Sequence, residues 1–174
     1  MHHLTSADYR RMPWANGRGT TVELWREEAG GRLAFRLSMA SVTEDGPFSP
    51  FPGIDRVLTV ISGPGSRLVG PGHDLRAEPL RPVAFPGDVP IAAEGVSAPS
   101  EDFNVMAARG SRVRVEVVRA GQGIAAERIF GFALAPATLR LGGRDIALDT
   151  HDLLAAEGAA HLVAGGPVLL TGLG

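Results

Sequence analysis

Cysteine is missing from this 174-residue sequence, and so is lysine. The first absence removes disulfides, thiolate metal sites and a cysteine nucleophile. The second makes all 17 basic residues arginine, which removes Schiff-base chemistry and the lysine of a phosphate-binding P-loop, although codon bias accounts for the imbalance equally well. Long apolar runs are missing too: Val57 to Ile61 and Val168 to Leu170 fall far short of the roughly 18 residues a membrane span needs. The opening MHHLTSADYRR puts charge where a secretory signal needs an apolar core, so a cytoplasmic location is expected. An excess of one charge is also lacking. With a net charge of -2 and arginines scattered along the chain, nucleic acid is not an expected partner. Beyond His2 and His3 only His73, His151 and His161 remain, in loop-like contexts with no His-x-His and no HExxH, so no metal and no cofactor are expected. No GxSxG elbow offers a serine nucleophile.

What the chain does have is punctuation: 23 Gly and 13 Pro leave little room for long helices and favour many short strands. In LAFRLSMAS, Leu33, Phe35, Leu37 and Met39 fall on one side and Ala34, Arg36, Ser38 and Ala40 on the other, the period of two that marks a strand. TVELW, RVLTVIS, SRLVG, PVAF, EDFNVMAA, RVRVEVVR, IFGFAL, TLRL and PVLLTG read the same way, and the expected class is all-β. The clearest helical candidate is THDLLAAEGAAHL with Thr150 as its cap, though Gly158 interrupts it and a strand-and-turn reading competes. RLVGPGHDLRAEPL, from Arg67, is echoed by RLGGRDIALDTHDLL, from Arg140, which hints at two similar β-halves. Their expected seam lies at AGQG, Ala120 to Gly123. This gives an N-terminal half over residues 1–120 that carries the pocket, and a C-terminal β segment over 121–174.

Three stretches concentrate chemistry. MPWANGRGTTVEL, Met12 to Leu24, has neither P-loop spacing nor the three glycines of a dinucleotide fingerprint. Two readings stand: a turn in which Asn16 and Gly17 take positive φ while Trp14 covers one end of a core, or a pocket wall in which Gly17 and Gly19 bring backbone N–H groups to a ligand beside Trp14 and Asn16. In GPFSPFPGIDR, Pro47, Pro50 and Pro52 stiffen a loop that offers Phe48 and Phe51 either as an apolar lip or as plugs for the core. Arg56 then enters an apolar strand, as an edge residue or an anion ligand, and Arg36, on the side of its strand that also carries Ser38, has the same ambiguity. In EDFNVMAARG, Asp102 and Asn104 share one strand face, toward solvent or a barrel interior. If interior, Asp102 needs a partner, and Arg36 or Arg56 is the natural one.

Taken together, YRRMPWANGRGTTVEL, FRLSMASVTEDGPFSPFPGIDRVLTVISG, AFPGDVPI and DFNVMAARG resemble the HutD/Ves family of the cupin superfamily, found in many bacteria with histidine-utilisation genes. The resemblance covers most of the chain up to Gly110 and departs at Ala15-Asn16-Gly17-Arg18-Gly19, where the family usually reads Lys-Asn-Gly-Gly-Gly. It implies a bicupin-like fold of two small β-barrel or jelly-roll halves packed together, no established reaction, and a small-molecule-binding or regulatory role without the usual cupin metal ligands. The expected ligand is a small anionic metabolite held by Trp14, Asn16, Gly17, Gly19, Arg36, Ser38, Phe48, Phe51, Arg56, Asp102 and Asn104, with a homodimer as the candidate assembly. The competing expectation is a metal-independent hydrolase or isomerase using Asp102 with Arg36 and Arg56.

Overall fold

The computed structural model describes residues 1–14 and 19–174; residues 15–18 lie outside the description. Among the described residues the regular structure is strand alone. In chain order the strands are β1 His2–Leu4, β2 Arg10–Pro13, β3 Thr20–Ala29, β4 Arg32–Val42, β5 Gly46–Pro47, β6 Ile54–Ser62, β7 Ser66–Gly70, β8 His73–Ala77 and β9 Val83–Pro86. They continue as β10 Ala92–Glu94, β11 Ser100–Ala108, β12 Val113–Val118, β13 Gly123–Ala133, β14 Ala137–Leu141, β15 Arg144–Leu148, β16 Leu153–Gly165 and β17 Val168–Leu173. No helix among these residues is long and apolar enough to cross a membrane.

The chain divides into two compact units, one of Arg10–Gly110 and one of Met1–Tyr9 with Ser111–Gly174. The first nine residues join the second unit because β1 pairs antiparallel with β16, His3 reaches Asp152 at 2.7 Å, and the Tyr9 hydroxyl donates to the His151 carbonyl at 2.6 Å. The segment expected as a seam, Ala120 to Gly123, falls inside this unit as the turn between β12 and β13, where the Gln122 side chain accepts from the Arg119 N–H.

In the second unit one sheet runs β12-β17-β13-β16-β14-β15, and Ile129, Leu139, Leu154, Leu162 and Leu170 sit in its buried cluster. The helical candidate is strand here. Gly158 has φ +96, outside the helical region, and the pairing of β16 with β13 slips by one residue beside it, between Ala126 and Arg128, so the glycine serves a bulge. His161 lies within β16 and His73 opens β8, in strands rather than in the loops expected for them. The two echoed segments are both hairpins, β7–β8 and β14–β15, and each carries an arginine on an aspartate: Arg67 on Asp74 and Arg140 on Asp145.

The Arg10–Gly110 unit is built from a six-stranded sheet, β2-β3-β4-β11-β6-β9, and a four-stranded sheet, β5-β10-β7-β8. Leu58 and Val60 of β6 and Phe85 of β9 pack against Leu68 of β7, Ala77 of β8 and Ile91. Burying each of the larger of these side chains contributes about 1.5–3 kcal/mol. In β11 every residue from Asp102 to Ala107 is buried, as suits a strand paired on both edges, with β4 on one side and β6 on the other. Period two then sets the site: Phe103, Val105 and Ala107 take one face, and Asp102, Asn104 and Met106 the other.

Candidate functional site

The face of β11 that carries Asp102, Asn104 and Met106 borders a cavity of about 400 Å³, within the range of small-molecule sites. Strand register fixes the rows across it. Met106 stands opposite Arg36 of β4 and Arg56 of β6, Asn104 opposite Ser38 and Leu58, and Asp102 opposite Ala40 and Val60. Both arginines thus share the Met106 row, with Asn104 and Asp102 successively further along the same face.

The two arginines have different surroundings. Arg36 is committed: its Nε donates to Glu23 Oε2 at 2.6 Å, both residues being buried, and its Nη1 lies 3.9 Å from the Met106 sulfur. Arg56 is 6% exposed and has no carboxylate within 4 Å among the described residues. Its Nη2 donates to Asn104 Oδ1 at 2.8 Å, its Nη1 points at the Ser49 carbonyl at 3.5 Å, and its buried Nε has no partner. Cζ sits 5.2 Å from the Phe48 ring centre, 5.6 Å from Phe51 and 5.0 Å from Phe85. Aromatic faces attract the cation without using its in-plane N–H groups, and each Nη nitrogen keeps a second N–H. Burial pulls the Arg56 pKa down to about 10 against the favourable charge of Asp102, and Arg36 adds repulsion. It therefore remains a cation at neutral pH.

Asp102 is 4% exposed. The expected ion pair with an arginine does not form, because register puts apolar Ala40 and Val60 opposite Asp102 and both arginines two same-face positions away. Burial pushes its carboxyl up to about 7, with Arg56 only partly offsetting the effect.

The proline-rich lip is tied down by its backbone. The Phe48 N–H donates to Ile91 O at 2.8 Å, and the Phe51 N–H to Gly87 O at 2.7 Å. Arg109 anchors its base, its backbone N–H on Gly53 O and its guanidinium on Asp88 and Asp55. On the β3 side, the Trp14 indole N–H donates to Thr21 Oγ1 at 2.9 Å, and its ring lies where a Cβ on Gly19 would stand, 2.7 Å away, so the glycine makes room for the ring.

Of the residues expected to hold a ligand, Trp14, Arg36, Ser38, Phe48, Phe51, Arg56, Asp102 and Asn104 line this one cavity. Gly19 lies behind the Trp14 ring, and Asn16 and Gly17 fall outside the described residues. Sequence reasoning missed Glu23, Phe85, Thr21 and Met106. Alternation extended one step past Asn104 reaches Met106; Phe85 and Glu23 become visible only once β9 and β3 are paired. No group of three or more His, Cys, Asp or Glu side chains among the described residues is arranged to hold a metal.

The chain has a cupin-like all-β fold, shared with distant structures such as a bacterial pirin from Escherichia coli (TM-score 0.65, 10% identity, covering 98% of this chain and 97% of that one). The chain belongs to the HutD family, whose model matches residues 6–168. It is 40% identical over 108 residues to an uncharacterised 21.2 kDa protein of Pseudomonas putida encoded in the hutC 3' region, a match covering 59% of this chain and 56% of that protein. It is 35% identical over 117 residues to protein Ves of Cronobacter sakazakii, covering 63% of each. The matches thus span less than two thirds of these relatives' length. HutD from Pseudomonas fluorescens SBW25 superposes with a TM-score of 0.83 at 31% identity, over 99% of this chain and 98% of that one.

Proposed function

We propose that the cavity of the Arg10–Gly110 unit binds a small carboxylate-bearing metabolite without a metal, in a cytoplasmic binding or regulatory role linked to histidine utilisation. The observation that carries this reading is Arg56: a buried cation in a ligand-sized cavity, held by phenylalanine rings and an amide instead of a carboxylate. A counter-ion arriving from outside completes it, with a carboxylate lying in the guanidinium plane on the free Nη N–H groups. Arg36 and Glu23 cancel each other, so Arg56 and a half-protonated Asp102 leave the cavity positive at neutral pH. The hutC-region relative supplies the metabolic setting. Calorimetric titration with urocanate, imidazolone propionate, formiminoglutamate and formylglutamate tests the reading. Binding of one of them, abolished in Arg56→Met, is expected; no heat and no gain in thermal stability with any of the four refutes it.

A second reading has one observation in its favour. A carboxyl near pKa 7 is poised as a general base, so Asp102 beside Arg56 would suit a metal-independent hydrolase or isomerase. Turnover of any of the four compounds, lost in Asp102→Asn with folding retained, would promote it over the binding reading.

A further inference from the structure

Asp102 is the only carboxyl group among the described residues lining the cavity. Its neighbours are spoken for: Asn104 Oδ1 accepts from Arg56, and Glu23, buried one strand beyond β4, is matched by Arg36. Asp102 has no hydrogen-bond partner and no cation within 4 Å among the described residues, although it is almost wholly buried. A carboxyl almost wholly buried and without a protein partner is costly as an anion and useful as a neutral donor toward what enters the cavity.

We propose that Asp102 is the specificity-determining residue of the cavity, binding as its neutral acid and donating its O–H to a second acceptor on an anion whose carboxylate rests on Arg56, so that ligand and proton enter together. The inference rests on the anion-binding reading and narrows its ligand class to bifunctional molecules, with a carboxylate at one end and a carbonyl or second carboxylate at the other. Geometry sets the span. Asp102 and Asn104 are successive same-face residues of β11, about 7 Å apart along the strand, and the Arg56 guanidinium sits 2.8 Å from the Asn104 amide. A ligand backbone of about five bonds covers that distance. The titratable groups facing Asp102 among the described residues are Arg56 on β6 and Arg36 on β4, the latter already neutralised by Glu23 of β3; Ser38, Thr21 and Trp14 add only neutral donors. Burial raises the Asp102 pKa, Arg56 lowers it, and a bound anion covering Arg56 pushes it up again.

Glutarate and butyrate are the probes, a dicarboxylate and the monocarboxylate that lacks its second acceptor; both remain fully ionised from about pH 7 to 9. Calorimetry at about pH 8.5 in buffers of different ionisation heat is expected to show uptake of close to one proton with glutarate. Its Kd should rise by up to about tenfold per pH unit above 7, and glutarate should bind about tenfold more tightly than butyrate at pH 6.5. Asp102→Asn keeps a donor but has no proton to exchange, so its glutarate affinity should be flat with pH and its proton uptake absent. Wild-type glutarate binding that is flat with pH, or equal affinity for the two probes, overturns the role of Asp102 and leaves anion binding standing. Proton uptake that persists in Asp102→Asn overturns the assignment to this residue. No binding of either probe at any pH overturns this ligand class and the role of Asp102, while the anion-binding reading stands or falls with the four metabolites.

Discussion

Replacing Arg56 with methionine separates a ligand-binding arginine from a structural one. With its pKa pulled down to about 10, the charged form is disfavoured in the folded protein, and the displacement is worth about 3 kcal/mol against folding at neutral pH, a penalty that persists up to about pH 10 and is relieved only as pH climbs beyond it. Methionine removes that penalty. It also removes the bond to Asn104, worth about 1 kcal/mol, and the attraction to three phenylalanine rings at about 0.5–2 kcal/mol each, part of which a thioether restores against the same rings. The terms nearly cancel, so Arg56→Met is expected within about 2 kcal/mol of the wild type in urea denaturation while losing carboxylate binding. Arg36→Met is the contrast. It leaves Glu23 buried with Arg26, at 3.7 Å, as its one remaining cation within 4 Å among the described residues, and should cost toward 3 kcal/mol, the lower end of the range for a broken buried pair. The reasoning fails if Arg56→Met is the more destabilised variant, or if it still binds a carboxylate as tightly as the wild type.

Gly19→Ala drives a methyl group to 2.7 Å from the Trp14 ring; displacing the ring should break its bond to Thr21, cost about 1–3 kcal/mol, and shift tryptophan fluorescence, whereas an unchanged spectrum and stability would show that the ring does not depend on the glycine. Tyr9 is the sole tyrosine, and burial together with the charges of Asp152 and Asp8 raises its pKa. Its raised pKa means stability that is complete below about pH 10 and lost above it, so tyrosinate absorbance should appear only as the protein unfolds in alkali. Reversible titration with circular dichroism unchanged would contradict this. Tyr9→Phe strands the His151 carbonyl and should cost about 1–2 kcal/mol by thermal denaturation.

Much of the cavity could be read from alternation alone. Arg36 and Ser38 share a face of one strand and Asp102 and Asn104 a face of another, and both faces turn out to border the same space. Chain-wise pattern does not supply register. Asp102 and the arginines are on the same side of the sheet, which invites an ion pair, yet the ladder sets them two rows apart. Glu23 was hidden for a related reason: a bulge between Glu23 and Trp25 shifts β3 against β4, so counting along β3 does not tell which side chain meets Arg36. Phe85 joins the Arg56 cage only through the pairing of β9 with β6, across nearly thirty residues of intervening chain. The strand in place of the Thr150 helix followed from Gly158, whose positive φ has no place in a helix interior.

The single strand β11 supplies buried residues on both of its faces, acid, amide and thioether on one and Phe103, Val105 and Ala107 on the other. Losing or gaining one residue ahead of Asp102 would exchange the faces, sending a carboxyl where Phe103 belongs and a phenyl ring into the cavity. Insertions and deletions in this strand are thus removed by misfolding before any change in ligand preference can be sampled. New specificity in a lineage with this architecture has to come through substitution on the cavity face or through side-chain changes in the Phe48 to Gly53 loop, whose backbone is fastened at Phe48, Phe51 and Gly53.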